Sequence, residues 1–587
     1  MFKLLKYAKK YRLQMIIGPI FKFIEAVFEL FLPLLMANLI DNGINKGDRA
    51  YIIQMGGWML LMSVIGVISV FICQYSASIA SQGFGTELRN RLMKKIAGLS
   101  YEELDELGTA TLITRVTNDV NQMQVALAML IRMVIRAPFL SIGALVMSIY
   151  INPKLSLIFA VVLPLFLFIL YLVMLKTIPM YRYVQKKVDQ IALVIGENIS
   201  GVRVIRAFAR RRTEKKRVAE ASDDLAKAYI RVSNLSALMN PATTLVMNFG
   251  IIVLLYIGGF SVNSGAAQQG EILALVNYLI QMLTAMIMVA NLVVIFTRAA
   301  ASASRINEVL AIKEGIQDPE ISLPVPVASS QIPVVEFKTV SFSYGQAEEK
   351  ALEKIHLTFN QGETIGIVGT TGSGKSTLAH LIPRFYDATE GEVLVNGHSV
   401  KQYQQEALRE IIGIVPQKSV LFAGTISDNL RMAKKEATDA EIMEALAISQ
   451  SLSFVEKMDE TIHAPVQEGG MNFSGGQKQR LTIARAVLKK PEILIIDDGL
   501  SALDYRTDLQ VRAALKKQLQ NTTIVIISQR ISSIMQADQI LVLDDGKLVG
   551  HGKHEWLLKH CAVYQEIYQS QVNETTPAAG LEGTSHE

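Results

Sequence analysis

The chain contains 587 residues, of which 50% are hydrophobic and 19% are charged, and its formal net charge is +5. Average soluble domains carry about 25% charged residues, so this composition argues against a wholly soluble protein and excludes a disordered or collagen-like one. The two cysteines, Cys73 and Cys561, lie far apart and form neither a CxxC pair nor a zinc-binding spacing, which excludes a disulfide scaffold.

Six apolar stretches precede residue 300, and each is long enough to cross a bilayer, which takes about 20 residues. The basic, amphipathic start of the chain lacks a signal-peptide cleavage site and predicts a helix on the inner membrane surface. These elements predict an α-helical transmembrane domain over 1–315. Its spans are expected at about 15–40, 55–80, 135–152, 155–175, 243–262 and 273–298.

Lysine and arginine are distributed unequally between the connecting segments. Residues 81–132 contain six of them and residues 176–240 contain fourteen, whereas the other connections contain almost none. Basic residues favour the cytoplasmic side, so both termini and both long segments are predicted to be cytoplasmic in a bacterial multi-pass protein. Because these segments are too long for structureless loops, the spans are expected to continue as helices into the cytoplasm. The basic run 210–217 indicates a solvated helical face, and no nucleic-acid partner is predicted.

Two carboxylates, Glu25 and Glu29, lie four residues apart inside the first span, and Lys22 precedes them. Ionisable groups within a span mark candidate functional sites. One interpretation places one or both carboxylates in a translocation cavity, where they attract cationic amphiphiles. The alternatives are a local Lys22–Glu25 pair near the inner interface, or carboxylates that cap a neighbouring helix. The residues alone leave these interpretations open.

The character of the sequence changes near residue 315. Residues 316–334 contain four prolines and predict a linker. Short apolar strands then alternate with helical segments over 335–573, which predicts an α/β domain. Residues 574–587 are small and polar and predict a disordered tail.

A phosphate-binding loop with the pattern G-x-x-x-x-G-K-S follows the predicted strand 364–368 and opens a helix. The glycines allow backbone amides to approach phosphates, Lys375 is expected to reach the β- and γ-phosphates, and Ser376 is expected to bind Mg²⁺. Asp497 ends the apolar strand 493–496 and suits the same ion. The predicted nucleotide contacts in and after the loop are Gly369, Thr370, Thr371, Gly372, Ser373, Gly374, Lys375, Ser376 and Thr377.

The segment 472–481, which reads NFSGGQKQRL, matches the ABC-transporter signature, and the chain resembles that superfamily over about 1–573. The order of its domains resembles a type IV half-exporter, with six spans followed by an ATP-binding cassette. The resemblance implies coupling regions near 100–120 and 197–211. It also assigns Asp504 to catalysis, Gln417 to Mg²⁺ beside Ser376 and Asp497, and further ATP contacts to Tyr344, Gln417, Ser474, Gly475, Gly476 and Gln477.

Two positions depart from the pattern of the superfamily. The residue after Asp497 is expected to be a catalytic glutamate but is Asp498, and the switch histidine is replaced by Gln529. Both changes weaken hydrolysis while leaving the phosphate-binding residues intact. The sequence therefore predicts a site that binds ATP and Mg²⁺ but hydrolyses ATP slowly, with Asp498 and Gln529 in the catalytic positions.

This combination resembles the degenerate-site subunit of bacterial heterodimeric multidrug exporters. The resemblance implies a second ABC half-transporter that carries the catalytic Glu and the switch His, and whose competent site is completed by this chain's signature. The predicted function is ATP-driven export of hydrophobic or amphiphilic compounds across the cytoplasmic membrane. A lipid or lipopeptide flippase is the alternative within transport, and an ATP-gated channel or sensor is the alternative of another class.

Overall fold

The structure is a computed structural model, and it describes residues 2–312, 315–324, 326, 331–345 and 349–575. The chain divides into two compact units. We call Met1–Ala97 with Ala110–Ile312 the helical unit, and Gly98–Thr109 with Lys313–Glu587 the α/β unit. The predicted disordered tail, 574–587, lies outside the described residues except for positions 574 and 575, which end the last helix.

Long helices build the helical unit. A 3₁₀ helix, Phe2–Tyr11, precedes them, and π-helical turns occur at Leu39–Ile44 and Arg115–Asp119. The short helix α3 follows α2 in the chain but belongs to the α/β unit. In chain order the helices are α1 (Arg12–Asn38), α2 (Arg49–Ala97), α3 (Tyr101–Leu107), α4 (Thr109–Thr114), α5 (Val120–Arg132), α6 (Arg136–Ile151), α7 (Pro153–Ser200), α8 (Val202–Ala207), α9 (Arg211–Ala237), α10 (Met239–Asn263) and α11 (Gln269–Ala311).

Six continuous helical stretches of the described chain are long and apolar enough to cross a membrane. This confirms the six-helix transmembrane architecture. Helix α2 has 49 residues and α7 has 48. At 1.5 Å per residue each is about 70 Å long, whereas a bilayer core is about 30 Å thick. Both helices are therefore long enough to continue well beyond a bilayer, as the length of the connecting segments predicts.

Small residues and buried polar contacts hold the helical unit together. Gly143 of α6 faces Leu30 of α1 so closely that a Cβ atom there would lie 2.3 Å from the leucine side chain. The buried hydroxyl of Tyr278 in α11 donates a 2.6 Å hydrogen bond to the carbonyl oxygen of Leu30. Close backbone approach and polar bonds between helices are the usual means of association in membranes.

The start of the chain is amphipathic, as its sequence predicts. Leu4 and Ala8, four residues apart in the 3₁₀ helix, are buried, whereas Lys6, Lys9 and Lys10 are exposed. The apolar side of this segment therefore packs within the helical unit and the basic side faces outward.

The described residues of the α/β unit form three sheets. Its strands are β1 (Val335–Phe342), β2 (Leu352–Phe359), β3 (Thr364–Gly369), β4 (Glu390–Val395), β5 (His398–Ser399), β6 (Ile412–Val415), β7 (Gly424–Thr425), β8 (Pro465–Val466), β9 (Ile493–Asp497), β10 (Thr523–Ile527), β11 (Gln539–Asp544) and β12 (Lys547–Gly552). Beside α3, its helices are α12 (Lys375–Leu381), α13 (Gln405–Glu410), α14 (Ile426–Arg431), α15 (Asp439–Ile448), α16 (Leu452–Val455), α17 (Gly475–Leu488), α18 (Tyr505–Gln518), α19 (Ile531–Ile534), α20 (His554–His560) and α21 (Ala562–Thr575). Short 3₁₀ turns occur at Val400–Gln402, Thr461–His463 and Glu468–Gly470.

The largest sheet decides where the functional motifs meet. Its strand order is β12-β11-β3-β10-β9-β6, and β11, β3, β10, β9 and β6 run parallel. Parallel strands bring their carboxyl ends to one edge, where ligands of open α/β sheets bind. The segments that follow β3, β6, β9 and β10 contain the predicted phosphate-binding loop, Gln417, Asp498 and Gln529, so the topology gathers these predicted site residues at that edge.

The described part of the predicted linker, 316–334, makes specific hydrogen bonds with other segments of the α/β unit. The Leu323 amide donates to the Gln402 carbonyl at 3.0 Å, and the Asp318 carboxylate accepts from the Gln405 amide at 2.9 Å. The Pro326 carbonyl accepts from the Asn396 side chain at 2.9 Å. Proline lacks a backbone N–H group and disfavours helix. The three hydrogen bonds above nevertheless pair groups of the linker with neighbouring segments.

Candidate nucleotide-binding site

The phosphate-binding loop lies between β3 and α12. Gly372 and Gly374 have φ angles of +86° and +92°, which favour glycine, and a Cβ atom on Gly374 would lie 2.5 Å from the Ala351 carbonyl. The Lys375 ammonium group donates to the Gly369 carbonyl at 3.0 Å and to the Thr370 carbonyl at 2.5 Å. The loop therefore curves around the lysine charge that the sequence assigns to phosphate binding.

A pocket of about 870 Å³ opens beside this loop. Its lining includes Tyr344, Gly372, Lys375, Ser376 and Thr377. The ring of Tyr344 is 42% exposed, and its hydroxyl lies 2.8 Å from the Thr377 hydroxyl. A fixed, half-exposed aromatic ring at one side of a phosphate-binding pocket suits stacking on a nucleobase.

Ser376 and Asp497 form the part of the pocket that suits a divalent cation. The Ser376 hydroxyl donates to the buried Asp497 carboxylate at 2.8 Å, and the other carboxylate oxygen lies 3.6 Å from His380 Nε2. Burial raises the pKa of Asp497, and the bond from Ser376 opposes that shift. A cation would offset the cost of burying this carboxylate, and carboxylate and hydroxyl oxygens are ligands that Mg²⁺ prefers. The residues therefore fit the ion.

The remaining sequence-predicted residues follow neighbouring strands. Gln417 is exposed and lies two residues after β6, whose Val415 pairs with Ile496 of β9. Asp498 follows β9 with a φ of +47°, and its amide donates to the Ile527 carbonyl at 2.9 Å. Gln529 is exposed and follows β10 by two residues. These positions lie at the same sheet edge as the phosphate-binding loop.

Two carboxylates act on the loop lysine. Burial lowers the pKa of Lys375, and the negative charges of Asp497 and Asp498 oppose that shift. The buried ammonium group therefore lies in the field of two negative charges. These charges favour the charged form of the lysine, which is the form that binds phosphate.

The signature segment begins helix α17. Ser474 caps this helix: its hydroxyl accepts from the Gln477 amide at 3.3 Å, and the Gln477 side chain accepts from the Ser474 amide at 2.9 Å. A Cβ atom on Gly476 would lie 3.4 Å from the Ala502 carbonyl, so the helix start packs beside residues 501–504. The amides at this helix start, including those of Gly475 and Gly476, form an anion-binding arrangement. Asp504 caps α18 by accepting from the Thr507 amide at 3.0 Å.

Comparisons with known proteins agree with these motifs. The family model of the ABC transporter transmembrane region matches residues 15–286, and the ABC transporter model matches residues 352–501. An uncharacterized ABC transporter ATP-binding protein of Mycobacterium tuberculosis is 38% identical over 569 residues, which cover 96% of this chain and 97% of the relative. The chain belongs to the ABC transporter family.

Further relatives and one solved structure indicate which kind of ABC transporter this chain resembles. An ATP-dependent lipid A-core flippase of Haemophilus ducreyi is 28% identical over 97% of this chain and 98% of the flippase. The structure of a bacterial Atm1-family ABC exporter with ATP bound superimposes with a TM-score of 0.78 at 23% identity, over 97% of this chain and 99% of the other. The transporter therefore has the type IV exporter fold, is a multi-pass membrane protein, and contains a transporter ATPase domain that binds ATP.

Several residues near the ATP pocket are not identified by any motif in the sequence. Gln571 of α21 donates to the Gln529 carbonyl at 2.6 Å and accepts from the Ile531 amide at 2.9 Å, so it fixes the segment that contains the switch position. His380, Phe385 and Tyr386 form an aromatic cluster beside Tyr344 and Asp497. The aromatic run after α12 is the only sequence signal for this cluster, because its contacts join distant segments.

The transporter pairs both carboxylates of the first span with cations. The Lys22 ammonium group contacts the two Glu25 oxygens at 2.8 and 2.6 Å. Arg136 of α6 donates to both Glu29 oxygens at 3.0 and 2.8 Å, and its Nε lies 3.6 Å from Glu25. The Lys22–Glu25 contact is the local pair that one interpretation of the sequence predicts. None of the interpretations predicts Arg136 as a partner of either carboxylate. Glu29 keeps a 32% exposed side chain, compared with 13% for Glu25.

Proposed function

We propose that this ABC transporter is one subunit of a heterodimeric exporter, and that its own site binds ATP with Mg²⁺ but hydrolyses ATP slowly. The observation that carries the proposal is the pair of substitutions at the catalytic edge of the sheet. Asp498 occupies the position directly after β9, and Gln529 the switch position after β10.

The Asp498 carboxylate is one methylene shorter than a glutamate at the same position, which is about 1.5 Å of reach. A misplacement of about 1 Å can lower a rate by about 10²-fold, and the loss of general-base assistance typically lowers it by about 10²–10⁴-fold. Gln529 donates a neutral hydrogen bond to a γ-phosphate oxygen but does not become cationic. Both changes therefore weaken stabilisation of the transition state.

Binding depends on other residues, and these are intact. Lys375 and the loop amides hold the β- and γ-phosphates, while Ser376, Asp497 and Gln417 hold the cation. When bound, Mg²⁺ neutralises the charge that develops on the phosphates during transfer. The Tyr344 ring stacks on the base. The site is consequently expected to retain ATP much longer than a competent one.

The signature residues support the heterodimer part of the proposal. Ser474, Gly475, Gly476 and Gln477 present the capped helix start at the surface of the α/β unit. In the proposed dimer this surface meets the ATP held by a second half-transporter that carries a catalytic Glu and a switch His. Asp504 lies in the neighbouring segment and belongs to the same dimer surface.

We propose hydrophobic or amphiphilic compounds as the substrates, exported across a bacterial cytoplasmic membrane with both chain termini inside. Of the two carboxylates in the first span, Glu29 is the more exposed and is the member expected to meet substrate. Replacement of Glu29 by Gln should reduce transport of a cationic dye more than transport of a neutral compound. The same replacement at Glu25 is the matched control, because the Glu25 side chain is only 13% exposed, compared with 32% for Glu29. Equal losses for both compounds would contradict the charge assignment.

A lipid flippase is the second candidate, because relatives of 28–30% identity are named lipid A-core flippases. Reconstituted vesicles with fluorescent lipids in one leaflet distinguish the two functions. ATP-dependent lipid movement without dye transport would favour the flippase, and the reverse would favour multidrug export. Passive flux of either compound along its gradient would instead indicate a channel.

The decisive experiment for the heterodimer compares ATP hydrolysis by the purified chain alone with hydrolysis by the chain coexpressed with its partner. We expect the chain alone to bind a fluorescent ATP analogue and to hydrolyse ATP at least about 100-fold more slowly than the pair. Fast hydrolysis by the chain alone would overturn both the degenerate-site and the heterodimer proposals.

A further inference from the structure

A second cavity of the α/β unit lies between α18, α19 and strand β10, and we call it the α18–α19 cavity. Its volume is about 280 Å³, close to the lower end of the range of small-molecule sites, which is about 300–1,000 Å³. None of the described residues that line it belongs to the phosphate-binding loop or to the other predicted ATP contacts. The side chains of its apolar wall are Leu509, Ala513, Ile524, Ile526 and Ala537.

The central sheet forms the floor of the α18–α19 cavity. Ile524 and Ile526 of β10 lie two residues apart, so their side chains point to the same face of the sheet. They are 4% and 3% exposed. Leu509 and Ala513 lie four residues apart on one face of α18, and Ala513 is exposed. The cavity therefore has a buried apolar floor and a mouth that opens to solvent beside α18.

The charged residues around the cavity are cationic. Arg512 and Lys516 line it, and none of the described lining residues is acidic. The Arg512 guanidinium group is already paired, because its Nε and Nη2 atoms donate to the Asp508 carboxylate at 3.0 and 3.1 Å. Lys516, by contrast, is exposed and forms no ion pair with any described residue. An unpaired ammonium group at the mouth of an apolar cavity suits a ligand with an anionic head group and an apolar body.

A larger cavity at the end of α18 has a different charge. Its volume is about 440 Å³, and its charged lining residues are Glu441, Glu444, Glu492, Lys490 and Lys517. Lys490 already contacts Glu444 at 3.1 Å. The excess of carboxylates disfavours an anion there despite the greater volume. Lys516 and Lys517 are thus adjacent in the chain but line different cavities, which provides a matched control.

Asp508 connects the two helices that flank the α18–α19 cavity. Its buried carboxylate accepts both hydrogen bonds from Arg512 of α18, and it accepts from the Ser533 hydroxyl of α19 at 3.1 Å. Arg512 and Ser533 both line the cavity. Helix α18 begins directly after Asp504, and α19 begins two residues after Gln529. A ligand in the cavity therefore contacts both helices close to the segments that contain Asp504 and Gln529.

We propose that the α18–α19 cavity is a second ligand site of this ABC transporter, which binds a small anionic amphiphile such as a medium-chain carboxylate. The acyl chain packs against Ile524 and Ile526, and the carboxylate lies at the mouth, where Lys516 provides the opposite charge. The bound ligand restrains α18 and α19 and, through them, the segments that contain Asp504 and Gln529. Binding at this site depends neither on the assignment of the ATP pocket nor on the heterodimer.

The test measures how octanoate protects a thiol placed in the cavity of the full chain in lipid nanodiscs. Ala513→Cys places the thiol in the lining, and Gln510→Cys places one on an exposed position of the same helix outside the lining. The natural cysteines, Cys73 and Cys561, are buried, so the unsubstituted chain gives the background rate of maleimide labelling. We expect octanoate to slow labelling of Ala513→Cys in a saturable way and to leave labelling of Gln510→Cys unchanged. Equal protection at both positions, or protection at neither, would overturn the proposal.

The same measurement examines the two parts of the ligand separately. Hexanoate has two methylenes fewer than octanoate, so the concentration that gives half protection should rise about 15-fold. Lys516→Gln should raise the half-protecting concentration of octanoate about threefold, since an exposed ion pair contributes little, and should not affect uncharged octan-1-ol. Lys517→Gln is the control and should change neither value. Equal responses of octanoate and octan-1-ol to Lys516→Gln would contradict an anionic ligand, and equal protection by hexanoate and octanoate would contradict a buried chain.

Backbone hydrogen exchange tests the effect of the ligand on the two segments. Without nucleotide, octanoate should slow exchange over residues 498–504 and 528–534 by about fivefold, a typical allosteric coupling. Residues 426–431 of α14, which lie outside the cavity lining, are the internal reference and should exchange at an unchanged rate. Protection of the thiol without slower exchange in either segment would overturn the coupling to Asp504 and Gln529. None of these results would alter the ATPase comparison between chain and pair.

Discussion

The two units of this ABC transporter carry their functional side chains in different ways. In the α/β unit, the phosphate-binding loop, Gln417, Asp498 and Gln529 lie in short contiguous segments after parallel strands β3, β6, β9 and β10, and Tyr344 follows β1 of the antiparallel sheet. In the helical unit, the charge cluster joins α1 to α6, and its Arg136–Glu29 pair spans 107 positions of sequence. The first kind of site is visible as a motif, whereas the second exists only after packing.

The difference follows from the architecture of each unit. A parallel sheet brings the carboxyl ends of its parallel strands to one edge, so motifs after these strands assemble most of the pocket. A helical bundle has no such edge, and the partner of a buried charge depends on helix rotation and crossing. Charges in the helical unit are therefore the less predictable part of the molecule, and the following experiments compare the two units directly.

The largest expected effect is a gain of hydrolysis in the α/β unit. Asp498→Glu combined with Gln529→His restores both altered groups of the catalytic edge. We expect ATP hydrolysis by the chain alone to rise by about 10²-fold or more, because both general-base reach and a cationic contact are regained. Steady-state phosphate release in detergent or nanodiscs measures the change. An unchanged rate would contradict the proposal that these two substitutions slow hydrolysis.

The next effect is a loss of binding. Lys375→Ala removes the ammonium group that lies within the phosphate-binding loop, and a charge-assisted hydrogen bond is worth about 1.5–3 kcal/mol. We therefore expect affinity for a fluorescent ATP analogue to fall by about 10- to 100-fold. Lys350→Ala, which removes an exposed cation elsewhere in the pocket lining, is the control and should weaken binding only slightly. Equal losses would contradict the assignment of Lys375.

Sequence reasoning identifies much of the ATP site but little of its surroundings. Lys375, Ser376 and Asp497 are predictable because a local pattern specifies a local backbone shape and its chemistry. The contact of Tyr386 with Asp105 joins residues 281 positions apart, and nothing in either segment specifies the other. For the same reason, a proline-rich linker is recognisable from 316–334, but its hydrogen bonds to Gln402 and Gln405 are not.

Substitutions of paired charges in the helical unit should have more moderate effects, and these effects should appear in the unfolding free energy. Arg136→Met leaves Glu29 without its cation, and we expect the unfolding free energy to fall by about 2 kcal/mol, since the pair is only partly buried. Asp224→Asn breaks the exposed Lys187–Asp224 contact in the same unit and should leave the unfolding free energy nearly unchanged, because solvent screens an exposed ion pair. Thermal unfolding in one detergent compares the variants. The double replacement Arg136→Met with Glu29→Gln should recover part of the loss, and no recovery would show that Arg136 acts through other contacts.

The substitution with the smallest expected effect on stability distinguishes the role of Ser474 as a helix cap from its role in the signature. Ser474→Ala removes the cap of α17, and Thr438→Ala removes an equivalent capping box at α15, which lies outside the motifs. Each loss should cost about 1 kcal/mol of stability. If Ser474 also completes the ATP site of a second half-transporter, its replacement should reduce hydrolysis by the coexpressed pair well beyond the effect of Thr438→Ala. Equal rates in the two variants would confine Ser474 to capping, and the signature would then have to act through its glycine amides alone.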